Sequence, residues 1–218
     1  MKTRNIERRR LGEQVADVLG KQIAGGKYPA GMHLSEIHLC TELGVSRTPV
    51  REALFKLEEK GLVISHPNRG FFIAPLRKHT VREHYPILAA LDALALRTSR
   101  KFTADEVAAL EALNARMAKS GKSAPEMYQL DLDFHDNLIN KCENRQLLSL
   151  IETLKAQTRR YDGGYKRGLA DRKRAHREHV KIIAAIKTGN NEKAAALLEK
   201  HWLGGIETVT GWIDSQET

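Results

Sequence analysis

The sequence predicts a mainly α-helical protein with an N-terminal winged helix-turn-helix, made of three helices and a small β-hairpin, and a C-terminal antiparallel all-α bundle of about six helices. Apolar residues recur at helical spacing through most of the chain. Two short β-rich runs flank the turn sequence HPNRG shortly before Pro75, whereas residues 80–214 contain no convincing strand. We therefore assign residues 1–75 to the winged helix-turn-helix, 76–79 to a linker and 80–218 to the helical bundle.

The three N-terminal helices are predicted from periodicity and capping signals. Apolar residues spaced as on one helix face predict a helix over 11–25. Ser35 and Gly44 mark the start and end of a short second helix, because serine favours the N-cap and glycine the left-handed C-cap. Ser46 is placed to cap the third helix, which carries Pro49 in its first turn, where the missing backbone N–H does little harm.

The N-terminal end of the third helix displays two guanidinium groups, which suit the DNA major groove. Arginine can donate two hydrogen bonds to guanine, and threonine can touch a base edge or a thymine methyl. In a helix-turn-helix the first residues of the second, recognition helix meet the bases. The tip of the predicted hairpin, between residues 62–65 and 71–74, can reach an adjacent groove or phosphates. Solvated surface charge is the alternative for any single arginine, but we predict DNA contacts for Ser46, Arg47, Thr48, Arg51, Arg69 and Gly70.

The composition allows a folded core and argues against some classes of protein. Among 218 residues, 36 Lys and Arg oppose 27 Asp and Glu, and the net charge of +9 is compatible with a phosphate-bearing partner. The two cysteines, Cys40 and Cys142, form no disulfide framework and fit a reducing cytosol. Since the start MKTRNIERRR lacks an apolar segment and the run ILAALDALAL contains Asp92, we expect a cytoplasmic protein with no signal peptide and no membrane partner.

The helical half places polar side chains among apolar stripes. Asp131 and His135 lie four positions apart beside a stripe that includes Phe134, so both project from one helix face. His179 and His201 align with the apolar positions of two further helices. A buried carboxylate is costly unless it is paired or coordinated, and one Asp with three His suits Zn²⁺, Ni²⁺, Mn²⁺ or Fe²⁺. The sequence favours a metal site, with satisfied core histidines or an Asp–His hydrogen-bond network as the alternatives.

A resemblance to the N-terminal winged helix of GntR-family bacterial transcription regulators is carried by LSEIHLCTELGVSRTPVREALFKLEEKGLV and PNRGFFI. It covers roughly residues 11–75 and is most specific across GVSRTPVREAL. The resemblance implies that Arg47, Thr48 and Arg51 contact DNA and that Gly70 lies in the wing.

The helical half is similar to the FCD ligand-binding domain of the FadR subfamily of these regulators. The similarity is carried by DLDFHDNLINKCENRQLL and REHVKIIAAIKTGNNEKAAALLEKHW. It implies that Asp131, His135, His179 and His201 bind a divalent metal, with zinc or nickel typical of such domains. Six helices after the linker resemble the shorter, VanR-like branch.

Two departures from the family pattern bear on function. Members often place an arginine early in the second helix, where this chain has Ile37, so we expect a different operator preference. Relatives often hold an effector carboxylate with the arginine of a YxxRxxLE pattern. This chain reads YPILAALD, with Leu88 at the arginine's place and Asp92 at the glutamate's. Arg97, Arg159 and Arg160 are the residues that could compensate, and His176, three positions before His179, could face the pocket. Exposed surface positions are the favoured alternative for all four.

These features together predict a dimeric, metal-containing transcription regulator that is not an enzyme. Two winged domains would bind the half-sites of a palindromic operator in double-stranded DNA. A small, anionic effector would bind at the metal's open position in the helical domain, and release of a repressor is the commoner outcome in such proteins. The alternatives are a metalloenzyme fused to a DNA-binding domain and a purely structural metal. A metalloenzyme is disfavoured because Glu178, the acidic neighbour of His179, points about 100° around the helix from it.

Overall fold

The computed structural model describes residues 11–119, 124–164 and 169–216, and within these ranges the side chains of 124–125, 159–164, 169–172 and 216 are left out. The chain divides into two compact units, Met1–Pro75 and Leu76–Thr218. The mainly helical class is confirmed for the described residues. Their N-terminal unit contains α1 (Leu11–Ala24), β1 (His33–Leu34), α2 (Glu36–Leu43), α3 (Arg47–Glu59), β2 (Val63–His66) and β3 (Gly70–Ile73).

The start and end of α2 follow the predicted capping chemistry. The Ser35 side chain accepts a hydrogen bond from the backbone N–H of His38 at 3.3 Å. Gly44 adopts the left-handed conformation with φ of 65°, and its N–H donates to the carbonyl of Cys40. At α3 the prediction was only partly right. Ser46 occupies the N-cap position, but its side chain makes no capping hydrogen bond among the described residues.

The wing has one strand more than the predicted hairpin. β1, β3 and β2 form a three-stranded antiparallel sheet in that order. His33 is paired with Phe72 across β1 and β3, and Ile64 is paired with the same residue across β2 and β3. The additional strand spans only His33–Leu34, which is too short to leave an alternating apolar pattern in the sequence.

The N-terminal unit is held together by a core shared between its helices and the inner face of the sheet. Leu19 of α1, together with Leu54 and Leu57 of α3, is fully buried. These side chains pack in one cluster with Phe71 and Ile73 of β3. Because one face of α3 enters this core, the opposite face of the helix is left for solvent and partners.

The C-terminal unit is an all-α assembly. Its described residues contain six helices, in agreement with the prediction: α4 (Lys78–Thr98), α5 (Ala104–Ala118), α6 (Ala124–Ile139), α7 (Arg145–Gly164), α8 (Leu169–Lys187) and α9 (Asn191–Gln216). The first of them begins at Lys78, within the segment 76–79 that the sequence assigned to a linker. In the described part of the chain, no helix is both long and apolar enough to span a bilayer.

The N-terminus of α5 carries the predicted capping box. The Thr103 side chain accepts from the N–H of Glu106 at 3.3 Å, and the N–H of Thr103 donates to the Glu106 carboxylate at 2.9 Å. Hydrogen bonds from Arg100 and Lys141, together with the one from Thr103, hold the pKa of Glu106 well below its usual range. The local sequence therefore fixes where this helix begins.

The described residues of the C-terminal unit form two apolar clusters. The larger one includes fully buried Leu88, Phe134 and Ile182, and forms the centre of the bundle. The smaller one joins Tyr85 near the start of α4 to Ile213 near the end of α9. The predicted polar residues of the helical half lie on the helices that line the larger cluster.

Candidate nucleic-acid interface and candidate metal centre

The N-terminal end of α3 presents its predicted DNA-contacting residues to solvent. Ser46, Arg47, Thr48 and Arg51 are all exposed, whereas Val50 on the same helix is fully buried. This division follows from helical spacing, because the apolar positions take one face and the polar positions the other. The exposed end of α3 can therefore meet a partner without any change in the core.

Arg51 is partly positioned by the preceding helix. Its Nε lies 3.5 Å from Oε1 of Glu36, in the first turn of α2, while 57% of the Arg51 side chain stays exposed. The carboxylate thus orients the guanidinium and leaves it accessible to other acceptors. Ile37, next to this carboxylate in sequence, is 62% exposed and offers an apolar group where relatives often have an arginine.

The wing tip has the backbone conformation that its sequence predicts. Asn68 has a φ of 60° and Gly70 a φ of 80°, both in the left-handed region. A Cβ at Gly70 would also lie 3.2 Å from Nε2 of His33, so the position is crowded as well as left-handed. Arg69, between them, is exposed. Arg69 and Gly70 thus lie at the exposed tip of the wing, and their contact with DNA stays a prediction.

Three of the predicted metal ligands converge inside the C-terminal unit. His135 lies on α6, His179 on α8 and His201 on α9, and all three are buried. One ligand atom from each lies within 4.8 Å of the others. The rings also contact one another, with centroids 4.8 Å apart for His179 and His201 and 5.1 Å for His135 and His201. We call these three residues the histidine cluster.

The fourth predicted ligand lies beside this cluster. Asp131 is 7% exposed, and its Oδ1 is 4.0 Å from Nε2 of His179. It precedes His135 by four positions on α6, so both side chains leave the helix towards the same region. All four residues chosen from the sequence are thus brought together, and the histidines form the tighter group.

The dimensions and the chemistry of this group fit a transition-metal ion. Two donor atoms that share an ion at bonds of about 2.1 Å lie about 3 to 4 Å apart. The histidine nitrogens are within a small side-chain adjustment of that spacing. Imidazole and carboxylate are the donors that zinc and nickel accept in proteins. The residues present therefore fit a divalent ion.

Glu178 is a member of the site that sequence reasoning placed outside it. Its Oε2 is 2.7 Å from Nδ1 of His201, and Arg174 is 3.1 Å from the same oxygen. Desolvation opposes ionisation of the carboxyl, but the hydrogen bond with His201 and the electrostatic attraction of the neighbouring donors, including Arg174, leave the pKa of Glu178 lowered. A carboxylate on Nδ1 leaves Nε2 of His201 as the nitrogen available to an ion.

A sequence signal for Glu178 existed, but it was ambiguous. The residue follows Arg174 by four positions, the spacing of a helical ion pair. Considered along α8 alone, the Glu178 side chain points about 100° away from His179 around the helix, which argued against a place in the same site. Its partner is on α9, 23 positions away, and only the packing of α8 against α9 reveals the contact.

A second buried polar group lies next to the histidine cluster. Asp92 of α4 is fully buried and accepts a hydrogen bond from Nε1 of Trp202 at 3.0 Å. Lys155 of α7 is 3% exposed, and its Nζ lies 3.7 Å from Asp92 and 3.0 Å from Asp136. Burial raises the pKa of Asp92 to about 6, although the Lys155 charge and the Trp202 hydrogen bond oppose the rise. The ring of Trp202 in turn lies 5.0 Å from that of His135.

The candidates for effector binding lie in different environments. Arg97 is exposed in part and pairs with Glu192 at 2.7 Å. His176 is half-buried, and its Nδ1 lies 3.1 Å from Oδ1 of Asn114 across α5 and α8. The side chains of Arg159 and Arg160 lie outside the described residues.

The comparison with known families decides the identity of the two units. Residues 83–204 match the FCD domain, and residues 11–73 match the bacterial regulatory proteins of the gntR family. The chain belongs to the GntR family. It is a DNA-binding transcription regulator whose winged helix-turn-helix is followed by an FCD domain, the architecture of the FadR subfamily.

Individual relatives of this GntR-family regulator span most of its length. The Nta operon transcriptional regulator of Aminobacter aminovorans is 30% identical, over 83% of this chain and 88% of the relative. The transcriptional repressor RspR of Escherichia coli K12 is 27% identical, over 88% of this chain and 85% of the relative. Both similarities are long enough to include parts of the winged unit and of the FCD domain.

Solved structures show the same fold. A GntR transcriptional regulator from Rhodococcus sp. RHA1 superposes with a TM-score of 0.79 at 23% identity, covering 92% of this chain and 97% of that one. E. coli McbR/YncC gives a TM-score of 0.81 at 21% identity, covering 93% and 98%. The arrangement of a winged helix-turn-helix before a helical domain is thus confirmed as a GntR architecture.

Proposed function

We propose that this regulator is a homodimeric, metal-containing repressor that a small anionic metabolite releases from a palindromic operator. The observation that carries the proposal is the histidine cluster, with Asp131 beside it, inside a protein whose α3 exposes two arginines to solvent. The first feature would supply a binding site for an ion and its ligand. The second supplies the output on DNA.

Sequence recognition would come from the exposed end of α3. Arg47 and Arg51 can each donate a bidentate pair of hydrogen bonds to guanine, and Thr48 can contact a neighbouring base. Glu36 supports this role for Arg51, because a guanidinium held by a carboxylate loses less side-chain freedom when it binds. Arg69 and Gly70 of the wing would contact the adjacent backbone or groove.

A homodimer would match the two half-sites of a palindrome. An exposed apolar stripe on α4 supports self-association, since Ile87 is 50% and Leu94 40% exposed and the two are seven positions apart on one helix face. The dimer would bind double-stranded DNA in the cytoplasm, where its operator lies.

The ion would be zinc or nickel, held by Asp131 and the histidine cluster. When bound, it would supply a Lewis-acidic position for an anionic group of the effector. Glu178 would fix the tautomer and orientation of His201. The ion would bind only the anionic group of the effector. The rest of the effector would be recognised by side chains of the surrounding helices.

The effector would have to bind the DNA-competent and DNA-incompetent states unequally to change operator affinity. Relatives often have an arginine at the position of Leu88, whereas this chain has a hydrocarbon side chain there that is fully buried in the apolar core. A small carboxylate would therefore depend more on the ion than on an arginine from α4. The repressor sign of the proposal is supported by the name of the relative RspR.

A regulatory role is favoured over catalysis by the state of Glu178. A metal-assisted hydrolysis needs a general base near the activated water. Glu178 is instead engaged with His201 and Arg174. The relatives are likewise named transcription regulators and repressors.

The DNA half of the proposal is tested by selecting binding sites from random duplexes with the full-length protein. The selected sites should contain two symmetric half-sites. Arg51→Ala should lower discrimination by about 1 to 3 kcal/mol at the contacted base, and Arg116→Ala, an exposed arginine of α5, should change nothing. Unchanged specificity of Arg51→Ala would remove α3 from base recognition.

The effector half is tested on the selected operator with zinc-loaded protein and a panel of small mono- and dicarboxylates. At least one carboxylate should dissociate the wild-type complex and fail to dissociate the complex of His179→Ala. Equal release of both proteins would show that the ion has no part in sensing. Full zinc occupancy without release by any anion would instead indicate a purely structural ion.

A further inference from the structure

We propose that the outer face of the wing is an additional phosphate-binding surface whose affinity for DNA rises as the pH falls. The surface is formed by His33, His66 and Arg69 around the ring of Phe72, and we call it the wing face. The inference uses the DNA-binding function of the family and goes beyond the contacts expected from α3 and from the wing tip.

The strand register places these groups on one side of the sheet. His33 lies opposite Phe72 in the β1–β3 pair, and Ile64 lies opposite Phe72 in the β2–β3 pair. Alternate residues of a strand share a face, so His66 lies on the same side as Ile64. Residues of the other parity, such as Val63, are buried against the helices. The wing face is therefore the side turned away from the core.

Phe72 is the centre on which the polar groups assemble. Its ring centroid is 5.0 Å from that of His33 and 5.2 Å from that of His66. The guanidinium carbon of Arg69 lies 5.7 Å from the same centroid. Three nitrogen-bearing side chains, one from each outer strand and one from the turn, are thus gathered around one half-buried ring.

Gly70 allows this assembly to extend to the wing tip. A side chain there would begin 3.2 Å from Nε2 of His33, so the glycine leaves room for the imidazole beside the expected DNA contact. His33 and His66 are both exposed. A phosphate that meets Arg69 would therefore find two further hydrogen-bond donors on the same face.

The charges around the wing face favour an anion. The cation on this face is Arg69. Glu58 of the packed helix α3 accepts hydrogen bonds from the backbone N–H and the hydroxyl of Ser65, a strand position on the opposite side of the sheet from Ile64 and His66. His38 of α2 is different, because its Nε2 lies 3.7 Å from Glu42 of the same helix. Among the described residues, no carboxylate lies within ion-pair distance of His33 or His66, in contrast to His38.

The pH dependence follows from the chemistry of imidazole. It is the side chain that ordinarily changes charge between pH 5 and 8, and a neighbouring phosphate favours its protonated form. Protonation and phosphate binding therefore strengthen each other. Each new phosphate contact also adds about 0.9 to the slope of log affinity against log salt concentration.

The test uses the full-length protein and a mixed-sequence duplex, because phosphate contacts need no operator. Affinity is measured by fluorescence anisotropy over a salt series at about pH 6 and about pH 8. Compared with the wild type, the double variant His33→Gln/His66→Gln should bind about threefold to tenfold more weakly at the lower pH, with a salt slope smaller by about 1 to 2. The difference should shrink at the higher pH.

Three controls separate this surface from other effects. His79→Gln, which removes an exposed imidazole of α4, should behave as the wild type. The histidine cluster is identical in the wild type and the double variant, so its own titration cancels in the comparison. Arg51→Ala should lose operator discrimination and keep the pH dependence, so failure of base recognition and failure of the wing face have different signatures.

Circular dichroism verifies that the variants are folded at both pH values. Should the double variant melt early, His33→Gln and His66→Gln are measured singly, and each should show part of the loss. A double variant, or both single variants, with the wild-type salt slope and pH dependence would overturn the proposal.

Discussion

The two candidate sites of this regulator are built in opposite ways. At the start of α3, the side chains proposed to meet DNA are exposed, come from neighbouring positions of one helix and depend on a local pattern of caps and apolar positions. The histidine cluster is buried and takes one residue from each of three helices. The first site needs only one correct helix, whereas the second exists only when three helices have packed.

Substitutions in the N-terminal site should therefore change function with little effect on stability. Substitutions in the C-terminal site should change both. An exposed arginine can change with little effect on folding, because surface substitutions away from special features usually alter stability by less than about 0.5 kcal/mol. A buried imidazole among other imidazoles contributes both to packing and to ion binding. The following predictions test that contrast.

The largest effect is expected from His179→Ala in the presence of zinc. A ligand at about a thousandfold excess over its dissociation constant stabilises the folded state by about 4 kcal/mol, and this variant should lose most of that gain. Thermal unfolding with and without zinc, together with elemental analysis of the purified protein, measures the loss. Arg51→Ala, the matched change in the exposed site, should keep the full zinc response. Full metal occupancy of His179→Ala would reject the assignment of the ligands.

The next largest effect concerns Asp92. Its pKa is about 6 in the folded state against an ordinary value of 3.8, so the folded state binds the proton more tightly than the unfolded state. The wild type should therefore lose stability as pH rises from about 4 to about 6, by about 3 kcal/mol relative to Asp92→Asn. Below that window the Asp92 carboxyl is protonated in both the folded and the unfolded state. Above it the carboxyl is ionised in both states, and the full cost of the buried charge remains.

The Asp92 prediction is measured by denaturant unfolding followed through the fluorescence of Trp202 and Trp212, which both belong to the C-terminal unit. The quantity of interest is the difference between variant and wild type at each pH. Asp105→Asn, an exposed change at the start of α5, should give a small difference without this dependence. A pH-independent difference for Asp92→Asn would show that the carboxyl is ionised at no extra cost in the bundle.

A smaller effect is expected at Glu178, which touches the proposed ligand His201. Loss of a hydrogen-bond partner of a ligating histidine typically weakens metal binding by about 10- to 100-fold. Glu178→Ala should show this loss and Glu178→Gln a smaller one, since the amide oxygen can still accept from Nδ1. Competition with a chromophoric chelator measures the affinity. Glu207→Ala, an exposed carboxylate on the same helix as His201, should retain wild-type affinity, and equal affinity for all four proteins would exclude a positioning role.

The smallest effects compare two helix starts. Thr103→Ala should cost about 1 kcal/mol, because it removes a capping hydrogen bond that is present in α5. Ser46→Ala should cost less than about 0.5 kcal/mol, because the corresponding bond is not formed at α3 among the described residues. Denaturant unfolding of each unit checks both values. A larger cost at Ser46 would indicate that its hydroxyl caps the helix in solution.

Local sequence signals accounted for most of the fold. Ser35 and Gly44 marked both ends of α2, and Thr103 with Glu106 marked the start of α5. The strand over His33–Leu34 was missed because two residues carry no periodic signal. Its existence depends on β3, which provides the hydrogen-bonding edge.

The candidate metal site was predictable in part. Helical periodicity showed that Asp131 and His135 face one way and that His179 and His201 lie on apolar stripes. It could not show Glu178 against His201, because that contact crosses between two helices.

The sequence by itself determined which residues enter the core, where helices begin and end, and which arginines stay in water, because periodicity and capping act within a few positions. Tertiary structure alone decided that Asp92 would meet Trp202, 110 positions away, and that three imidazoles would share one space. Such contacts depend on the rotation and spacing of packed helices, which are set by the whole core rather than by any segment of the chain.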